Sequence, residues 1–168
     1  MKLTKVVARG LFWQRFGLAK PVNGSRSGEG GVPWGCVVDK AELRKLQDFL
    51  RKSLDNQGIK VTPGKRNPDE ADVQLGERRI GAITVDDEDG DRSFSFEMKI
   101  PVERPVLQDY LRRLFETDKL TVVPRGKKGD SVDLTKGSDF LGVISSDDPK
   151  AKSFTLQMAI LDFDLDEL

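Results

Sequence analysis

LQDYLRRLF, at residues 107–115, repeats a phrase that the chain has already used 61 positions earlier as LQDFLRKSL, at residues 46–54. In the later copy Leu107, Tyr110, Leu111, Leu114 and Phe115 follow i, i+3, i+4, i+7, i+8 spacing, which gives a helix with one buried stripe. The likeness does not stop with the helix. Shifting residues 46–85 by 61 positions lays Pro63 on Pro124, Asp72 on Asp133, Gly76 on Gly137, Gly81 on Gly142 and Ile83 on Ile144 without a gap. Asp86-Asp87 falls on Asp147-Asp148. One deletion in the next loop then brings Ser93-Phe94 onto Ser153-Phe154, Met98 onto Met158 and Ile100 onto Ile160. Two unrelated amphipathic helices would not agree through strands, turns and a proline. The chain carries a duplicated structural unit.

Each copy has the same internal order. Asp39 with Glu42 is a capping-box pattern that opens the first helix. Leu43, Leu46, Leu50 and Leu54 mark one face with Phe49 beside it, and Gly58 suits the stop. In the second copy Pro105 stands near the first turn, where a missing N–H costs nothing. Strands follow: IKVTP (59–63) and LTVVP (120–124), then 71–75 and RRIGAITV (78–85), matched by 131–134 and FLGVISS (140–146). The last strand of each copy alternates apolar Phe94, Phe96, Met98, Ile100 and Phe154, Leu156, Met158, Ile160 with polar or small residues. Period two with one apolar face is a half-buried antiparallel strand.

The expected fold is α+β, with two homologous units, residues 39–104 and 105–168. Each is one helix packed on a three- or four-stranded antiparallel sheet. A unit of about 60 residues buries only about 60% of its unfolded surface and is marginal alone. The copies are therefore expected to complete one another as a pseudo-twofold intramolecular dimer in a monomeric chain.

Residues 1–38 read differently, as a flexible basic arm and a Gly/Ser-rich linker, GSRSGEGG (24–31). The whole chain is neutral, yet residues 1–27 carry six basic residues and no acid, leaving 22 basic against 28 acidic beyond them. The arm mixes this charge with Phe12, Trp13 and Phe16. Residues 1–20 fit a contact with nucleic acid or an anionic membrane surface, a presequence, or a passive leader, including one from a start codon assigned too early. No stretch approaches the roughly 20 apolar residues of a membrane helix, and no continuous apolar core marks a secretory signal. The lone Cys36 suits a reducing cytoplasm.

The stretch LQDYLRRLF…LTVVPRGKKGDSVDL…FLGVISSDD…SFTLQMAILDFDLDE, and with it IGAITVDDEDGDRSFSFEM in the first copy, closely resembles the domain of unknown function 3126 family of short, mostly alphaproteobacterial proteins. Members of that family are single units, so the resemblance implies a fused tandem pair over roughly residues 41–168. It implies no activity, cofactor or catalytic residue.

Chemistry-bearing residues are sparse. The chain has no histidine, which removes the commonest general base and metal ligand. DDEDGD (86–91) offers Asp87, Asp89 and Asp91 as weak metal candidates, but its glycine is out of register with a calcium loop. An Asp-Gly turn explains it better. No cofactor is expected. An enzyme would need carboxylates such as Asp72 and Asp133 to converge in a pocket. Basic turns carrying Lys65, Arg66, Arg125, Lys127 and Lys128, with Arg9 and Arg15 of the arm, are the candidate contacts for an anionic partner. LDFDLDEL (161–168) alternates Leu161, Phe163 and Leu165 with aspartates, predicting a strand extension beyond a bulge that lies along a sheet edge. The functional expectation is a non-enzymatic cytoplasmic protein acting through protein contacts. The alternative is a nucleic-acid-associated protein using the arm and the basic turns.

Overall fold

Asp39 starts the first helix. Its Oδ1 accepts from the Ala41 and Glu42 N–H groups at 2.7 and 2.8 Å, while Glu42 Oε2 accepts from Asp39 N at 2.9 Å, so the expected capping box is formed. The computed structural model describes residues 38–65, 67, 69–86, 92–125, 131–148, 150 and 152–166. Within them α1 (Lys40–Leu54) leads into β1 (Ile59–Pro63), β2 (Glu70–Leu75), β3 (Arg78–Asp86) and β4 (Ser93–Ile100). The second copy follows with a 3-10 turn (Arg104–Val106), α2 (Leu107–Leu114), β5 (Leu120–Pro124), β6 (Ser131–Lys136), β7 (Asp139–Ser146) and β8 (Phe154–Leu161). A short α3 (Asp162–Asp166) ends it.

Each copy supplies four strands, and all eight join in one antiparallel sheet ordered β1-β2-β3-β4-β8-β7-β6-β5. The copies do not keep separate sheets. They meet where β4 pairs β8 over eight residues, from Ser93 opposite Leu161 to Ile100 opposite Phe154, with Glu97 opposite Gln157. Partners across a ladder share a face. Phe94, Phe96, Met98 and Ile100 therefore stand beside Phe154, Leu156, Met158 and Ile160, and all eight are buried. Ile83, Val73 and Val61 extend this face on one side, Ile144 and Leu134 on the other. A single hydrophobic cluster takes them in with Leu46, Leu50, Leu54, Leu107, Leu111 and Phe115 of the helical segments. At about 1.5–3 kcal/mol for each buried side chain, the eight along the seam contribute on the order of 12–24 kcal/mol before chain entropy is subtracted. Polar contacts between the copies tune this seam and do not make it.

The identical Gln and Arg of the two repeated phrases have the same task in both copies. Gln47 Oε1 accepts from Val61 N at 3.2 Å and Arg51 Nε donates to Ile59 O at 2.9 Å. Gln108 Oε1 accepts from Val122 N at 3.0 Å and Arg112 Nε donates to Leu120 O at 2.7 Å. β1 and β5 are the two edges of the sheet, and an edge leaves a row of backbone groups open to pairing with another chain. Each helix thus closes part of the edge beside it, and Pro63 and Pro124 end the strands.

Two details differ from the sequence reading. α1 stops at Leu54, not at Gly58, because Asp55 turns left-handed at φ 57°, as Glu116 does at φ 53° after α2. Residues 162–166 are helical, so the expected strand extension of Leu161, Phe163 and Leu165 does not form. β8 lies inside the sheet, and its partner β4 ends opposite Leu161. With no further strand to pair among the described residues, the backbone closes into a helical turn that starts with Asp164 Oδ2 accepting from Leu161 N at 3.3 Å. Leu165 is then buried, Phe163 stays 54% exposed, and Asp166 pairs with Lys45 of α1 at 2.5 Å.

Replacing Gln47 and Gln108 with alanine is expected to cost about 1 kcal/mol each in urea denaturation, by freeing an edge N–H. The double variant should also scatter light at concentrations where the parent chain does not.

Candidate functional site

The sheet has two unlike faces. One carries the core and the helices. On the other, Thr84 stands beside Ser95 and Ser95 beside Ala159, while Val143 stands beside Gln157 and Ser145 beside Thr155. These central side chains are short and mostly half-buried, with Glu97 and Lys99 projecting among them. Thr155 is held by its hydroxyl donating to Asp147 Oδ1 at 2.5 Å. At one end of it Tyr110 and Leu114 of α2 border the same hollow as Ala82, Thr84, Glu97 and Lys99. Eight strands about 4.8 Å apart and about six residues long make a surface of roughly 38 by 20 Å.

A second junction between the copies lies at the helix C-termini. Asn56 Nδ2 donates to Phe115 O at 2.9 Å, and its Oδ1 accepts from Gly58 N at 2.7 Å. Thr117 Oγ1 donates to Asp55 Oδ2 at 3.0 Å, and Lys119 Nζ lies 2.8 Å from the same oxygen. Lys136 Nζ donates to Lys52 O near the end of α1. The cations face carbonyl ends of helices, where the macrodipole favours them. The hydrogen bond and charge of Lys119, helped by Thr117, hold the Asp55 carboxyl below the usual carboxylate range. The same hydrogen bond raises the Lys119 ammonium above its ordinary value.

The sequence-derived candidates fall apart into three groups. Arg9, Arg15, Arg66, Lys127, Lys128, Asp87, Asp89, Asp91 and Cys36 lie outside the described residues. Lys65 and Arg125 are exposed, but they follow the two opposite edge strands, so six inner strands separate them. Leu161, Phe163 and Leu165 sit at the end of a central strand and in α3, away from either edge. Asp72 and Asp133 do not converge. They occupy β2 and β6 with four strands between, roughly 24 Å along the sheet. Asp72 takes Arg79 Nε at 2.5 Å, whereas Asp133 Oδ1 has Arg125 Nε only at 3.7 Å.

The second acidic loop is satisfied from within. Asp148 Oδ1 accepts from Lys150 N at 2.7 Å and its Oδ2 from Ser153 Oγ at 3.3 Å, while Ser146 Oγ donates to Asp148 O at 2.6 Å. These bonds tie a turn. Sequence reading missed the Asn56 and Asp55 junction, because neither residue is kept in the second copy. It also missed Arg79, which has no distinguishing neighbour in sequence.

The Asp55–Lys119 pair has a signature in pH. A lowered carboxyl pKa adds stability that is complete above the unfolded value and is lost as pH falls through the folded one. The raised ammonium pKa adds stability that is present below its unfolded value and lost as pH rises through the folded one. Asp55→Asn should remove both contributions, so that its melting temperature differs from the parent near neutrality and converges with it in acid.

Among the described residues no helix is long and apolar enough to cross a membrane. Neither a curated protein nor a solved structure matches the chain. A family model described as a protein of unknown function (DUF3126) matches it twice, over residues 42–103 and 103–164, and the chain belongs to that family as a tandem pair of its unit.

Proposed function

We propose that this chain is a non-enzymatic binding protein of the cytoplasm that works through protein contacts, built as a pseudo-twofold dimer of its two units in one polypeptide. The pseudo-twofold reading rests on register. Glu97 stands opposite Gln157, its counterpart in the repeat, and Phe94 pairs with Ile160 as Ile100 pairs with Phe154. An axis through the Glu97–Gln157 pair exchanges the copies strand for strand.

The observation that carries the binding role is the outer sheet face. Its roughly 760 Å² is close to the ~800 Å² per partner of a standard protein interface. Its centre holds Ser95, Ala159, Val143 and Gln157, short or uncharged residues that leave the sheet open to close approach, with Glu97 and Lys99 among them. The edges are less suited to the task, since Gln47, Arg51, Gln108 and Arg112 already occupy part of them. The absence of histidine from the chain fits a role without acid–base chemistry. A second reading, nucleic-acid association, rests on the charge of residues 1–27, six basic residues with no acid.

Two experiments test these readings. Residues 39–104 expressed alone should not be a stable monomer; they should self-associate through β4 in sedimentation equilibrium. In that homodimer Glu97 would face a second Glu97, so Glu97→Gln should tighten it by up to about fivefold, the size of a like-charge pair across a ladder. A monomeric, well-dispersed NMR spectrum from either half alone would defeat the pseudo-dimer. For the binding role, full-length chain should retain specific proteins from extracts of its native cell, and Ala159→Arg with Ser145→Arg should abolish retention at unchanged melting temperature. If retention instead vanishes on nuclease treatment or on deleting residues 1–38, the nucleic-acid reading replaces it.

A further inference from the structure

The two copies share a backbone but part company at one groove. In both, the β2–β3 or β6–β7 ladder skips one residue: Gln74 pairs with Arg79 and Val73 with Gly81, as Thr135 pairs with Phe140 and Leu134 with Gly142. Bulges of this kind re-aim the neighbouring side chain. In both, the next ladder ends early, at Gly81 opposite Met98 and at Val143 opposite Gln157. No side chain replaces the glycine there. A Cβ on Gly81 would come within 2.4 Å of Glu97 O, and one on Gly142 equally close to Gln157 O.

In the first copy this frame opens a groove of about 560 Å³, lined by Arg78, Arg79 and Lys99 together with Met98, Tyr110 and Leu114. The last two come from α2, so both copies build it. Arg79 is set in place from behind. Asp72, with its side chain only 11% exposed, holds Arg79 Nε at 2.5 Å, while the Arg79 side chain as a whole is 56% exposed. Asp72 engages only Nε, which leaves the two terminal nitrogens as donors in a planar fork that matches an oxyanion. Arg78 and Lys99 have no ion-pair partner among the described residues. The second copy keeps the aspartate as Asp133 but has Phe140 in place of Arg79 and Ala159 in place of Lys99. Scaffold residues persist and the cations do not, so the cations are not needed by the fold.

We propose that this groove binds a carboxylate carried on an apolar body. Three cations, Arg78, Arg79 and Lys99, face three acids, Asp72 and the lining Glu70 and Glu97, so the groove has no excess positive charge to hold a phosphate dianion. The Arg79 fork can still take a single carboxylate. Met98, Leu114 and the Tyr110 ring supply the surface for an aliphatic or aromatic body. The carboxylate can belong to a free organic acid or to the C-terminus of a peptide, and the two are separable. The groove shares Thr84, Glu97 and Lys99 with the outer sheet face, yet it does not require that face to bind a protein.

The test is a titration of the full-length, isotope-labelled chain, following amide shifts of Gly81, Met98 and Leu114. Phenylacetate should shift them saturably, and 2-phenylethanol, its neutral analogue, should not. Arg79→Ala should weaken binding at least tenfold and Arg79→Lys should fail to restore it, both with the native amide spectrum otherwise retained. Asp72→Asn should weaken it by a smaller factor. A tripeptide ending in phenylalanine that binds tighter than phenylacetate, and loses binding when amidated, identifies a peptide terminus; equal or weaker binding identifies a free acid. Shifts that persist in Arg79→Ala, equal binding of the alcohol, tighter binding of phenyl phosphate, or no saturable shift from either acid would each overturn the assignment.

Discussion

The antiparallel ladder between β4 and β8 is the constraint on which everything else rests. Before it forms, each copy is four strands and one helix, with its last strand an open edge and the apolar row of that strand half covered. Pairing the two last strands removes both edges at once and lays eight large apolar side chains side by side. No polar contact between the copies approaches this in magnitude. The polar contacts are still informative, because each selects one register: Asn56 to the Phe115 carbonyl, Thr117 and Lys119 to Asp55, Lys136 to the Lys52 carbonyl, Lys45 to Asp166. A slip of one residue along β4 would turn Phe94, Phe96, Met98 and Ile100 to the wrong face. Burial therefore fixes what hydrogen bonding refines.

Much of this was legible in the residues. The repeat, the capping box at Asp39, the buried stripe of α1 and the alternation along β4 and β8 all translate into the observed elements, since each is a local pattern with a single periodicity. What the sequence hid was non-local. It did not say that two half-sheets would become one, because a period-two strand looks the same whether its neighbour is a sheet edge or a second copy. LDFDLDEL misled for a related reason. Leu161, Phe163 and Leu165 are spaced by two, and Leu161 and Leu165 by four, so strand and helix both bury Leu165, and the choice falls to whether a pairing partner remains beyond Leu161. None does.

The candidate surfaces were legible to a smaller degree. Charge alone nominated Lys65 and Arg125, yet the fold sends them to opposite edges. Asp72 and Asp133 were conspicuous because they were retained, and their placement shows why retention is an ambiguous signal. Asp72 has an arginine to hold, and Asp133 has only a distant one. The Gln and Arg of the repeated phrases stand off the apolar stripe of each helix. Their identity in both copies was the available clue that they touch something, and the thing they touch is backbone at the sheet edge.

Fusion of two copies also changes what the fold permits. A symmetric dimer of identical chains must place every side chain twice, so a residue that suits one half is forced on the other. Across the axis proposed here that rule would set glutamate against glutamate, where this chain has Glu97 against Gln157. The same freedom lets Arg79 and Lys99 stand in one copy while Phe140 and Ala159 fill the other. Bulge, glycine and strand register are alike in both, because the backbone depends on them. Side chains that differ at such positions are therefore the ones released from the demands of folding, and a groove built from them is where a binding role can be carried without loss to the sheet.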